Sequence, residues 1–106
     1  MINIDSFIEF CKSLVGSKFK TVGGRAWFIL SCAQYNKLCY TPVSTGKLRE
    51  HTRRRIEMVL NRYNKTKSLK TTDYKGITVN QPYILALISL YCSRHPVSRS
   101  KFKEKS

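Results

Sequence analysis

The chain has 106 residues, 42% of them hydrophobic and 25% charged, which is the length of one domain and enough apolar content for a packed core. Twenty Lys and Arg against six Asp and Glu give a net charge of +14. That balance argues against a halophilic protein, an acidic-ligand sensor, a collagen-like chain or a disulfide miniprotein, and it points to a polyanionic partner, because self-repulsion of this size opposes compaction until something negative offsets it.

The N-terminal MINIDSFIEF lacks a basic segment followed by a long apolar one, so no export signal is expected there. Residues 5–15 are predicted to be helical: Phe7, Phe10, Cys11 and Leu14 follow the i, i+3, i+4, i+7 pattern, and Asp5 or Ser6 is available as the cap. Gly16 is placed to end this helix, with Lys12 near the negative end of its dipole.

The period changes over residues 18–42. Phe19 and Thr21 predict a short strand, Gly23-Gly24 a tight turn, and Ala26 to Ala33 a second strand rich in aromatic and β-branched residues, with a helix over 26–34 as the alternative. Tyr35-Asn36-Lys37 reads as a turn, and Leu38 to Thr41 as a third strand closed by Pro42. Phe19, Trp27, Phe28, Tyr35 and Tyr40 interleave with Lys18, Lys20, Arg25 and Lys37. Aromatic side chains among cations can stack on unpaired bases, but strand aromatics more often pack in a core, and these are assigned to the core.

Residues 44–63 are predicted to form the clearest helix. Ser44-Thr45-Gly46 supplies cap residues, and Leu48, Thr52, Ile56, Val59, Leu60 and Tyr63 line one stripe. Lys47, His51, Arg54 and Met58 fall on the opposite side, with Arg55 and Arg62 beside them and Asn64 as the stop. Between residues 47 and 75 there are ten cations and three acids, and between residues 10 and 49 there is no acid at all. A merely solvated face usually alternates sign to gain i, i+4 pairs, whereas Arg53-Arg54-Arg55 has only Glu50 and Glu57 in reach. Arginine suits bidentate recognition of phosphate and of guanine edges.

The expected helix start at Ser44-Thr45-Gly46-Lys47-Leu48-Arg49 combines free amides, two hydroxyls and two cations, the makings of a backbone-phosphate clamp. Its spacing is not that of a Walker A loop. Residues 64–79 are a basic, turn-rich connection with a short turn near Thr71 or Thr72, a second hairpin being the rival reading. A last helix is expected from Asn80-Gln81-Pro82, apolar almost all round over 83–92 and therefore central, ended by Pro96. Residues 97–106 are expected to be a basic flexible tail on a domain spanning 1–96.

The four cysteines show no C-x-x-C spacing and sit in apolar neighbourhoods, as reduced buried thiols do. Cys32, Cys39, His51, Cys92 and His95 match no zinc pattern, so no metal or cofactor is expected.

The expectation is therefore a small α+β domain: an N-terminal helix, a two- or three-stranded antiparallel sheet, a basic helix and a buried C-terminal helix. A winged-helix-like layout is compatible with it, with 47–63 as recognition helix and 64–79 as wing. The expected function is nucleic-acid binding, duplex DNA favoured over RNA, by a regulator or accessory factor of the cytoplasm, nucleoid or nucleus. Its candidate contacts are Lys18, Lys20, Arg25, Ser44, Thr45, Lys47, Arg49, His51, Arg53, Arg54, Arg55, Arg62, Lys65, Lys67 and Lys70. No membrane partner is expected, and a homodimer is compatible with such a module. The alternatives are a small endoribonuclease with His51 as general base, and an RNA- or ribosome-associated binding protein.

Overall fold

The computed structural model describes residues 1–77 and 81–94. It is an α+β domain: α1 (Ile4–Lys12), β1 (Lys18–Lys20), β2 (Trp27–Gln34), β3 (Lys37–Pro42), β4 (Arg49–Thr52), α2 (Arg53–Thr66), a 3-10 turn (Thr71–Tyr74) and α3 (Gln81–Arg94). The expected tail, its boundary at Pro96 and the Asn80 helix start lie outside the described residues.

The first helix is capped by Asn3, whose side chain accepts from the amides of Asp5 and Ser6 at 2.9 and 3.2 Å, so the cap lies two residues upstream of the first predicted one. Phe7, Ile8 and Cys11 are buried, and Gly16 follows at a φ of 93°, where a residue without Cβ is unstrained.

The sheet is an antiparallel meander in the order β1-β2-β3-β4. Strand β2 pairs with β1 (Phe19 opposite Phe28) and with β3 (Leu30 opposite Tyr40), with an irregularity between Leu30 and Cys32. A two-residue link, Tyr35-Asn36, joins β2 to β3. Alternation sends Phe19, Phe28, Leu30, Leu38, Tyr40 and His51 to one face, and Lys18, Lys20, Trp27, Ile29, Thr41, Cys39 and Glu50 to the other.

The core draws on the first face alone. Phe7 and Cys11 of α1, Ile56, Val59 and Leu60 of α2, and Ile84, Leu85, Leu87 and Ile88 of α3 close over it. Phe28 is its aromatic hub, with ring centroids 5.9 Å from Phe19, 5.9 Å from Tyr40 and 5.2 Å from Tyr83. Helix α3 is buried through its middle, as its nearly uniform apolar sequence requires, and Pro82 sits in its first turn.

Two expectations are corrected here. The sheet has four strands, because residues 49–52 pair with β3 instead of forming helix. The basic helix therefore begins at Arg53, capped by Thr52, whose hydroxyl accepts from the Arg55 amide at 3.4 Å. It runs past Asn64 to Thr66, ending on Lys67 in the left-handed region. The second correction concerns the wing. Described residues 64–77 hold the 3-10 turn and no strand, and all four strands precede α2.

Candidate nucleic-acid interface

At 100° per residue, helix α2 divides into four strips. Ile56, Val59, Leu60 and Tyr63 face the core. One flank is tied to the N-terminal segment: Arg53 Nη2 donates to Asp5 Oδ1 at 2.9 Å, and Asn64 exchanges hydrogen bonds with the Ile2 amide and carbonyl at 2.8 and 3.1 Å. The other flank is tied to the 3-10 segment. Arg55 donates to the Ile77 carbonyl, and Arg62 donates to the Asp73 carbonyl at 2.7 Å. The remaining strip, Arg54, Met58, Asn61 and Lys65, is exposed.

The arginine run thus has mixed duties. Arg53 is the most heavily engaged: it also donates to the Tyr35 carbonyl at 2.9 Å, and its guanidinium carbon stands 4.1 Å from the centroid of the Tyr35 ring. The hydrogen bond to Asp5 raises its already high pKa. Arg53, Arg55 and Arg62, expected from the sequence as nucleic-acid contacts, act as struts holding α2 to the chain on both sides. Arg54 and Lys65 are the helix cations whose heads make no hydrogen bond or ion pair among the described residues. Beside them a shallow concavity between α2 and the 3-10 segment is lined by Met58, Asn61, Arg62, Lys65 and Ile77.

Ser44, Thr45 and Lys47 do not stand at a helix start. They belong to an exposed turn between β3 and β4, where Gly46 has a φ of 67° and the Lys47 amide donates to Thr45 Oγ1 at 3.2 Å. The amide array that a phosphate clamp needs is therefore missing at that point. Lys47 and Arg49 remain exposed as a cationic patch.

His51 is overturned as a contact residue. It lies on β4 facing the core, 1% exposed, and its Nδ1 shares a hydrogen bond of 3.1 Å with the Tyr40 hydroxyl. Burial, reinforced by the nearby Arg55 charge, pushes its pKa down to about 4, so it is neutral at pH 7. A side chain so enclosed reaches neither a phosphate nor a ribose hydroxyl, which removes the base from the endoribonuclease reading.

Arg25 is exposed on the β1–β2 turn, and Lys70 is exposed at the head of the 3-10 turn. Lys67 caps α2 with its ammonium 5.5 Å from the Tyr63 ring centroid. Lys18 and Lys20 stand on the sheet face away from the core, 5.4 and 5.1 Å from the ring centroid of Trp27. Trp27 itself is 44% exposed and Tyr35 69% exposed, so two of the five aromatics assigned to the core lie outside it. Strand alternation carries the signal for Trp27: once Phe28 and Leu30 face inward, Trp27 must face outward.

Among the described residues no three His, Cys, Asp or Glu side chains gather as a metal site, and no helix is long and apolar enough to cross a membrane. Comparison with known proteins finds no matching protein-family model, no similar curated protein and no similar solved structure.

Proposed function

We propose that this chain is a small nucleic-acid-binding protein that grips the phosphate backbone of duplex DNA, serving as a regulator or accessory factor. The observation that carries the reading is a charge surplus that the fold does not absorb. If each of the six acids neutralised one cation, fourteen cations would still stand uncompensated. Such a surplus favours a partner that is itself a dense line of negative charge.

The ridge of α2 gives that surplus a shape. Arg54 and Lys65 stand about 16 Å apart along the axis at 1.5 Å per residue. That separation exceeds the roughly 12 Å width of a B-DNA major groove, so the two ends of the ridge fit phosphates on its opposite walls. Lys47 on the β3–β4 turn, Arg49 at the start of β4, and Lys70 near the 3-10 turn are exposed cations for flanking phosphates. Met58 and Asn61, between the two ridge cations, are the side chains such a pose would turn toward base edges.

The test is duplex binding by fluorescence anisotropy across a salt series. The wild type should bind with a steep salt dependence. The Arg54→Ala, Lys65→Ala double variant should bind more weakly on every sequence, with the slope of log K against log salt reduced by about 2. Absence of duplex binding at low salt, or a double variant that binds as the wild type does, would overturn the proposal.

A further inference from the structure

The sheet face turned away from the core carries one large exposed ring. Trp27 starts β2, and its neighbours on that face are Lys20 directly opposite and Lys18 one pair along, opposite Ile29. Thr41 continues the row beyond Ile29, and Ser31 bonds to it at 2.5 Å. The Val43 amide donates to the Trp27 carbonyl at 2.9 Å, so the strand bearing the indole is held on both edges. The ring is presented by rigid backbone, not by a loop. The surroundings are cationic: no acid occurs between Glu9 and Glu50, a stretch that includes both strands of this hairpin and Arg25 at its turn.

The other exposed aromatic is a useful contrast. The face of Tyr35 is covered by the Arg53 guanidinium, which Asp5 and the Tyr35 carbonyl lock in place. The ammonium groups of Lys18 and Lys20 have no such lock. They reach no acid among the described residues, and a cation resting on an exposed indole is held more weakly than a stacked base. An incoming base can therefore displace them from the ring, and each displaced ammonium then lies beside the phosphates flanking that base.

We propose that Trp27, with Lys18 and Lys20, forms a stacking site for an unpaired base of a single-stranded nucleic acid, on the face of the sheet opposite the core. This rests on the nucleic-acid reading above but uses a different surface from α2. A single indole among lysines, with the hydroxyls of Ser31 and Thr41 nearby, suits one base and its two phosphates better than a lipid surface, which calls for a wider apolar patch.

Trp27 is the sole tryptophan of the chain, so its emission reports on this site alone. Titration with an oligo(dT) of about twenty nucleotides should quench it, whereas a duplex bound along α2 should leave it nearly unchanged. Trp27→Ala should weaken oligo(dT) binding about tenfold, Trp27→Phe should retain most of it, and neither should alter duplex affinity. The Lys18→Ala, Lys20→Ala variant keeps the fluorophore and should lower the single-strand salt slope by about 1.4. If duplex binds while oligo(dT) neither quenches Trp27 nor distinguishes wild type from Trp27→Ala, the stacking site is wrong and the duplex reading stands. Binding to neither polynucleotide removes both. A blue-shifted emission on phosphatidylserine vesicles, without oligo(dT) quenching, would reassign the face to lipid.

Discussion

The Tyr40 hydroxyl meets His51 Nδ1 at 3.1 Å on the buried face of the sheet, with the two rings edge to face at 66°. Nε2 of the same histidine has no hydrogen-bond partner among the described residues. Charging this imidazole would place a cation in the core close to Arg55, which is why its pKa is pushed from 6.5 to about 4. In the unfolded chain it titrates near 6.5, so between there and pH 4 the unfolded state binds the extra proton. Stability is complete above about pH 6.5 and falls as the pH drops toward 4, by as much as about 3 kcal/mol. Urea unfolding at several pH values should show this decline. The His51→Gln variant should be less stable at pH 7.5 and lack this part of the pH dependence. An equal decline in both proteins would mean that His51 is not its source.

Arg62 and Arg54 occupy neighbouring strips of one helix and should respond oppositely to removal. Arg62→Ala takes away the bond to the Asp73 carbonyl and should cost about 1 kcal/mol, with faster amide exchange over residues 71–77. Arg54→Ala removes no intramolecular partner and should change stability by less than about 0.5 kcal/mol while weakening DNA binding. Thermal melts and hydrogen exchange on the two variants separate strut from contact. A destabilised Arg54→Ala would mean that the Arg54 side chain is itself held by the fold.

Much of the fold was legible because its elements carry their own periodicity. The stripe of α1, the uniformly apolar α3 and the alternation of β2 are local properties of the chain. Residues 44–52 are where local pattern and fold diverge, and the cause is specific. Leu48, Thr52 and Ile56 recur every four residues and so imitate a helical stripe, although Leu48 is 58% exposed. Four residues, Arg49 to Thr52, are too few to show a period of two, and their conformation is decided by the open edge of β3, which is nonlocal information. The same limit applied to the candidate site. A helical wheel places Arg55 and Arg62 beside the polar face, but only the return of residues 71–77 makes that flank a seam.

Cysteine reactivity follows burial. Desolvation pushes the Cys11 thiol up to about 12, and Cys39 rises to about 12 through burial and then its hydrogen bond with Cys32. Both should resist alkylation in the native state, since the thiolate is the reacting form. Cys32 and Cys92 are only half-buried. Iodoacetamide at pH 8, followed by peptide mass spectrometry, should modify Cys32 or Cys92 first and Cys11 only after denaturant is added. Early modification of Cys11 would mean that α1 opens readily from the core.

The end of α2 offers a stabilising change. Lys67 is the one non-glycine among the described residues with a positive φ, at 57°, and its amide donates to the Tyr63 carbonyl at 2.7 Å. A side chain in the left-handed region costs about 1 kcal/mol, which glycine avoids. Two losses oppose the gain: the greater backbone freedom of glycine when unfolded, and the exposed contact of the Lys67 ammonium with the Tyr63 ring at 5.5 Å, worth about 0.5 kcal/mol. The contrast between Lys67→Gly and Lys67→Ala cancels the second loss, because both variants lack the ammonium. Gly should be the more stable of the two by about 0.5 kcal/mol, or roughly 2–4 °C in melting temperature for a domain of this size. Lys67→Pro should melt lowest, since its ring fixes φ near −65° and its missing N–H breaks the bond to Tyr63. If Ala melts above Gly, the helix does not end in the left-handed turn and Lys67 is not its cap.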